Sequence, residues 1–310
     1  MGTNNYKKSY YYQSIATKIH QLTARLSPQY EAKRCYYRVF GRNPDLKEPK
    51  DFIEKIYWLQ LHSDTTLWTK CADKYRMREY IEAYNLSHLL PKLYGVWNTA
   101  DEIDFDSLPN SFVLKTNNAT ETCIIVKDKC TLDLDKTRET LNQWLKIKFG
   151  YSGVQLHYLR IKPVIIAEEL LVADKTQHLI SPKSLIDYKF FCCDGAPQCV
   201  WVAYNRTKAH GVDMNLYDLN WHPHPEWTVD KPHYHYKNVE IPKPACLNDL
   251  IDYCKILAKP FSEVRIDFYV IDQKPYIGEL TFTTGYGYLT HELYERLGSK
   301  IDLSKVNRIR

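Results

Sequence analysis

The chain has 310 residues, 44% hydrophobic and 25% charged, with 42 Lys and Arg against 37 Asp and Glu. This is the composition of a folded globular protein, long enough for two domains or for one domain with a mobile lobe. No run nears the ~18 apolar residues of a spanning helix, and a formal charge of +5 is too weak to argue for nucleic acid, although it suits an enzyme of anionic substrates.

Nine scattered cysteines, an odd number without a CxxC pair, read as reduced thiols of a cytoplasmic protein rather than a disulfide framework or zinc site. Met1 to Tyr12 is polar and lacks the apolar stretch of a secretory signal.

Residues 1–45 are basic and aromatic, and Ile15, Ile19, Leu22 and Leu26 recur at helical spacing. Packing on the protein's own domain is the commoner fate of such a segment. A weak membrane-surface contact through residues 10–30 is the other reading. The run Asp45 to Pro49 reads as a turn or linker. Helices are expected from Asp51 to Leu61 and from Asp73 to Tyr84, the first with Asp51 and Glu54 placed as a capping box. A short strand should lie within Leu89 to Trp97. A strand ending at Lys115 should pair with Cys123 to Val126. Leu132 to Phe149 reads as helix, and Pro163 to Leu171 as an apolar strand. Asp187 to Cys193 and Gln198 to Tyr204 form a hairpin turning at Asp194-Gly195. Asn220 to Tyr236, rich in Pro, His and Trp, reads as a loop whose Trp221 and Trp227 suit a substrate lid or sugar-stacking surface. Leu247 to Leu257 is helical.

A second hairpin follows, with strands Val264 to Ile271 and Tyr276 to Phe282. Strand alternation puts Arg265 and Asp267 on one face of the first strand, and Glu279 and Thr281 on one face of the second. A three-residue turn would set Asp267 opposite Glu279; a two-residue turn would put them on opposite faces. Two adjacent carboxylates need a proton, a cation or a metal between them. A Mg²⁺ held by two carboxylates usually also touches substrate phosphates.

Four elements stand in order: Asp73-Lys74 opening a helix, Phe112-Val-Leu-Lys115 before a small-polar loop, Ile165-Ile-Ala-Glu-Glu-Leu-Leu171, and the Arg265/Asp267/Glu279 hairpin. The set resembles the ATP-grasp superfamily, in particular its TupA-like amidoligase branch from teichuronopeptide and capsular-polysaccharide gene clusters. DYKFF at Asp187 to Phe191, YDLNW at Tyr217 to Trp221 and GELTFTTGYG at Gly278 to Gly287 are similar to that branch alone.

The resemblance implies an α/β (α+β) ATP-grasp fold with nucleotide held between two sheets and a basic helical N-terminal extension. It divides the chain into an extension (1–45), an N-terminal α/β subdomain (46–110), a mobile ATP-covering lobe (111–168) and a core with the metal site (169–310). The cofactors implied are ATP and Mg²⁺. Lys74 and Lys115, with Thr116 and Asn117, would meet the phosphates. Glu168, Glu169 and Leu171 would form the adenine and ribose hinge, and Asp187 would face the nucleotide. Asp267, Glu279 and Thr281 would ligate metal, while Arg265, Lys189 and Arg206 would act on the reacting groups.

The branch carries Asn-His-Gly-Ser-Gly after its strand lysine, where this chain reads Thr116-Asn-Asn-Ala-Thr-Glu-Thr122. Asn and Thr side chains would then replace glycine's open backbone, with Lys127 and Lys129 closing over the nucleotide. Arg206, Lys208 and His210 are candidates for an acidic acceptor.

The implied reaction joins a carboxylate, as on a uronic acid in surface-polysaccharide assembly, to an amine through an acylphosphate. A phosphotransferase or glycosyltransferase acting on surface sugars, or a nucleotide-binding pseudoenzyme, are the rival readings. Asp267→Asn and Glu279→Gln should each abolish turnover and spare the fold.

Overall fold

The computed structural model describes residues 18–309. Two sheets form its frame. The smaller has the order β1-β4-β2-β3, from β1 (Leu93–Trp97), β2 (Phe112–Thr116), β3 (Cys123–Val126) and β4 (Ile165–Glu168), all antiparallel. The larger has the order β10-β9-β5-β6-β7-β8. Its strands are β5 (Asp187–Cys193), β6 (Ala196–Thr207), β7 (Gly211–Tyr217), β8 (Tyr234–Tyr236), β9 (Glu263–Ile271) and β10 (Lys274–Thr281).

Alternation along the large sheet splits its side chains cleanly. Tyr188, Phe190, Val200, Val202, Ile266 and Phe268 share a core with the helix Leu247–Ala258 and with Trp58, Trp68 and Tyr80. On the other face, Phe191, Cys193, Trp201 and Met214 meet Tyr36, Phe52, Ile53 and Leu293 from the helices Pro28–Phe40, Phe52–His62 and His291–Ser299. This second face is covered at the Cys193 end and carries Lys189 and Asp187 at the other. The small sheet has its own core with Leu141 of the helix Leu134–Trp144.

The local signals explain most element ends. Asp51 accepts from the N–H groups of Ile53 and Glu54, and Glu54 accepts in return from Asp51 N–H, so the expected capping box forms. Asp194 and Gly195 turn the β5–β6 hairpin with φ of 44° and 78°, as a two-residue loop of that hand requires. The helix expected over 73–84 forms only over Arg76–Glu82, and a short helix that was not expected, Thr66–Ala72, precedes it. Asp73 separates them, taking extended backbone and accepting from Tyr75 and Arg76 N–H.

The stretch 220–236 is not all loop: Tyr234–Tyr236 runs parallel to β7. Gly211 (φ 90°) admits it, because a Cβ there would sit 2.3 Å from the His233 carbonyl oxygen. Both tryptophans of this stretch make contacts within the protein, Trp221 remaining half-buried. Trp221 is stacked on Tyr217 and bonded to the Ile241 carbonyl, and Trp227 is buried beneath His224 and Arg296.

Of the N-terminal apolar series, Ile15 lies outside the described residues. Residues 18–26 are helical, and Ile19, Leu22 and Leu26 are exposed, contrary to the expectation that they pack on the protein's own domain. No helix among the described residues is long and apolar enough to cross a membrane.

His157 is fully buried against Trp68, Tyr158 and Phe282, with neither ring nitrogen hydrogen-bonded among the described residues, and burial pushes its pKa down to about 3. The unfolded chain takes up a proton here below about pH 6.5, whereas the folded chain does so only near 3. Stability contributed by the neutral ring is therefore complete above 6.5 and is lost as pH falls through that window. Urea melts should show a decline approaching ~1.4 kcal/mol per pH unit from this group, and His157→Phe should flatten it.

Candidate active site

The chemistry-bearing side chains gather where the uncovered end of the large sheet faces the small one. The β9–β10 turn, Asp272-Gln273, has two residues, with φ of 48° and 63°. That departs from the three-residue turn the sequence argument required, and a regular ladder would have put Asp267 and Glu279 on opposite faces. A β-bulge between Ile277 and Glu279 reverses the outcome: Gly278 is the extra residue, and Glu279 pairs with Asp267 after all. A Cβ at Gly278 would come within 3.0 Å of the Tyr269 ring, so the smallest residue suits the bulge.

The register continues across the sheet. Glu279 is opposite Asp267, Asp267 opposite Lys189, and Lys189 opposite Trp201, giving four side chains in a row over four strands. Arg265 organises them. Its Nε and Nη2 donate to the two Asp267 oxygens at 2.7 and 2.8 Å, and Nη2 also donates to Glu279 Oε1 at 2.9 Å and Thr281 Oγ1 at 3.1 Å. Nη1 donates to Thr284 Oγ1 at 2.8 Å. Lys189 donates to Asp267 Oδ2 and lies 3.4 Å from Asp187, which also accepts from Arg206 at 3.1 Å. Trp201 lies beneath both cations, its ring centroid 5.6 Å from Lys189 Nζ and from Arg265 Cζ.

Electrostatics separate the two carboxylates. Burial pushes Asp267 up, against the pull of Arg265 and Lys189. Desolvation also acts upward on Glu279, but Arg265, Lys189 and Lys74 together outweigh it and hold this group well below the usual carboxylate range. Glu279 is thus the more acidic of the two, and at 36% side-chain exposure against 1% for Asp267 it is also the accessible one.

The small sheet supplies the opposite wall. Lys115 donates to Glu168 at 2.6 Å, and Arg78 donates to the other oxygen of Glu168 at 3.2 Å. Glu169 is tied to Lys92 through both its N–H and its carboxylate, and Leu171 lies three residues beyond β4. Lys74, whose pKa enclosure lowers despite the pull of Glu279, reaches the Ala119 carbonyl at 2.6 Å.

Side chains brace the glycine-poor loop. Asn117 donates to Asp73 and to the Lys162 carbonyl and accepts from Val164 N–H. Asn118 donates to the Trp144, Leu145 and Ile147 carbonyls at the end of their helix. Thr116 is fully buried at the loop's base, and Thr122 donates to the Thr116 and Ala119 carbonyls. Asn117 is therefore a strut within the loop. Lys129 does not close over the cleft: it donates to the Phe105, Asp106 and Leu108 carbonyls, and Lys127 is exposed away from the lining residues. His210 is paired with Asp213, and Lys208 is exposed, which leaves Arg206 alone of that trio in the cleft.

Two cavities meet at Glu279. One, of about 150 Å³, is walled by Lys74, Lys115, Lys189 and Arg206 with Glu121, Asp187, Asp267 and Glu279. The other, of about 320 Å³, has Arg265 and Glu279 at one end and aromatic side chains along its walls. Among the described residues no three of His, Cys, Asp and Glu converge on a point that could hold a metal ion; His222 pairs with Asp218, His224 with Glu226 and more distantly Asp218, and His235 with the His210 carbonyl and Asp230. Two hard carboxylates still suit Mg²⁺, whose remaining positions are commonly water and phosphate oxygen. Both Asp267 oxygens already face cations, so Glu279 is the readier ligand, with the Thr281 hydroxyl 3.1 Å from its Oε1.

The sequence reading missed Trp201, Arg78 and Thr284. Only the strand alternation of Val200-Trp-Val202 hinted at the first. Arg78 and Thr284 act across elements, which spacing along the chain does not record.

A family model described as TupA-like ATPgrasp matches residues 54–302, and the chain belongs to that family. Among solved structures it is similar to D-alanine–D-alanine ligase from Bacillus anthracis complexed with ATP (14% identity, 72% of this chain and 59% of that one, TM-score 0.44). It is also similar to the ADP complex of purK, N5-carboxyaminoimidazole ribonucleotide synthetase (14%, 73% and 48%, TM-score 0.43). A third is the ATP-grasp ligase PsnB with minimal precursor, Mg and ADP (11%, 76% and 58%, TM-score 0.38). The chain spans less than two thirds of each of these proteins. No curated protein matches the sequence.

Proposed function

We propose that the protein is an ATP- and Mg²⁺-dependent carboxylate–amine ligase. The observation that carries this is the Arg265-bridged Asp267/Glu279 pair, set between a cavity lined by four cations and a second, largely uncharged one. Asp267 and Glu279, with Thr281, would hold Mg²⁺, which when bound neutralises phosphate charge. Lys74, Lys115 and Lys189 would position the nucleotide's phosphates, with Glu168, Glu169 and Leu171 beside its adenosine and the 111–168 lobe covering it.

An acceptor carboxylate oxygen would attack the γ-phosphorus as the bond to the β–γ bridging oxygen breaks, giving an acylphosphate and ADP. The amine nitrogen would then attack the acyl carbon. The acyl–oxygen bond breaks, phosphate leaves with that electron pair, and the amine gives up a proton. Arg265 would face the transferred phosphoryl and the acyl oxygen, where its guanidinium would stabilise developing charge. A uronic acid or similar acidic group in surface-polysaccharide assembly, within the cytoplasm, is the substrate setting favoured here.

ADP release with ATP, Mg²⁺, a panel of acids and hydroxylamine as trap tests the reading. Carboxylate-dependent ADP and a hydroxamate are expected; amine-independent transfer to a hydroxyl would replace the ligase with a phosphotransferase. Lys115→Met and Lys74→Met should each raise the KM for ATP about tenfold or more with the melting temperature little changed. An unaltered KM in both would remove these lysines from the nucleotide site.

A further inference from the structure

Ile19, Leu22, Leu26, Tyr30 and Tyr37 are each more than half exposed, all within one short stretch of chain. Beyond residue 39 the exposed large hydrophobics are instead scattered, from Tyr84 to Ile309. A lone exposed leucine is ordinary, whereas several on one surface mark a place of contact.

Helical spacing groups them. Ile19, Leu22 and Leu26 stand at i, i+3 and i+7 of the helix over residues 18–26 and so share one face. Ala24 alone of residues 18–26 is buried, so the helix rests on the protein through a small side chain and turns its apolar stripe outward. Ser27 separates it from the helix Pro28–Phe40. Backbone bonds from Ser27 N–H to the Thr23 carbonyl and from Glu31 N–H to the Ser27 carbonyl carry the chain across the join. In the second helix Glu31, Ala32, Cys35 and Tyr36 are buried, while Tyr30, Lys33, Tyr37 and Arg38 are exposed.

Charge supplies the second observation. Every exposed charge of these two helices is positive, from Lys18, Arg25, Lys33 and Arg38. Their one acid, Glu31, is buried and paired with Arg34 at 2.5 Å. Lys18 and Arg25, seven residues apart, flank the apolar stripe, and Lys33 lies between Tyr30 and Tyr37. An apolar stripe bordered by Lys, Arg and Tyr is the composition of a helix lying in a bilayer interface. There the long cationic side chains run along apolar surface to reach the headgroups, and aromatic rings sit at headgroup depth. A second copy of the chain on this face would set the cations against their own copies, which like-charge repulsion opposes.

We infer that the exposed face of residues 18–38 is a docking surface for a membrane rich in anionic lipid. Ile19, Leu22 and Leu26 enter the boundary between headgroups and acyl chains, Tyr30 and Tyr37 lie at headgroup level, and Lys18, Arg25, Lys33 and Arg38 meet lipid phosphates. Apolar burial and charge attraction act together, so the contact is reversible and weakens with salt.

Flotation of the full chain with lipid vesicles needs neither ATP nor acceptor, so its outcome is independent of the ligase reading. The protein should float with phosphatidylcholine vesicles containing about one third phosphatidylglycerol, and about tenfold less with phosphatidylcholine alone. Raising sodium chloride from about 0.1 M to about 0.5 M should release it. Leu22→Glu combined with Leu26→Glu should weaken partition about tenfold or more, as should joint Lys18→Gln, Arg25→Gln, Lys33→Gln and Arg38→Gln, with melting temperatures unchanged. Should one variant not fold, the other and the comparison of lipids decide. A protein that stays in solution with the anionic vesicles overturns the inference, as does equal partition to the two lipids or wild-type partition of a folded variant. Self-association in sedimentation that the Leu22/Leu26 variant abolishes, without vesicle binding, would overturn it in favour of a second copy on this face.

Discussion

Glu279→Gln should lower ATP turnover by two to three orders of magnitude, on the order of the loss of an electrostatic element of a transition state, while the protein melts almost normally. The side chain is 36% exposed, and glutamine keeps an oxygen for Arg265, so only the charge at the cleft is removed. Asp267→Asn should be as inactive but much less stable. Both Asp267 oxygens accept from cations in a site 1% exposed, and an asparagine amide would point N–H groups at Arg265 or Lys189. Breaking a buried pair of this kind costs roughly 3–5 kcal/mol. The sequence argument expected both variants to spare the fold, and the geometry revises that for Asp267. Denaturant melts beside ADP-release assays measure the two effects separately. Near-normal turnover in Glu279→Gln would discard the proposed metal site.

Arg265→Ala should be the most damaging change to the site. One guanidinium satisfies Asp267, Glu279, Thr281 and Thr284, and without it two carboxylates face each other across one rung of the ladder. A loss of roughly 3–5 kcal/mol is expected, along with turnover. Arg265→Lys keeps the charge and loses the fork, so it should be intermediate in stability and still nearly inactive. Millimolar Mg²⁺ should raise the melting temperature of Arg265→Ala more than that of the parent, because a divalent ion can take the place of the missing cation between the carboxylates. An equal response in the two proteins would argue that Asp267 and Glu279 do not together form a divalent-ion site. This readout needs neither ATP nor substrate.

The sequence by itself determined the elements whose signals are local. The Asp51–Glu54 capping box, the Asp194-Gly195 turn and the Cys123–Val126 strand are short-range consequences of side-chain chemistry, and all three form as read. Strand alternation put Arg265 and Asp267 on one strand face, and the resemblance to the ATP-grasp branch added Lys189, Lys74 and Lys115 as candidates; the fold brings Lys74, from a turn between two helices, to the cavity that Lys115, Lys189, Asp267 and Glu279 line.

Tertiary structure decided what depends on register and on contacts distant in sequence. The pairing of Asp267 with Glu279 rests on a bulge at Gly278, because a two-residue turn alone inverts the face of every residue beyond it. Lys129 and Asn117 became struts because carbonyls from distant segments reach them before any ligand does. Trp221 and Trp227 were drawn into stacks because an apolar ring gains more from burial than from waiting at a surface.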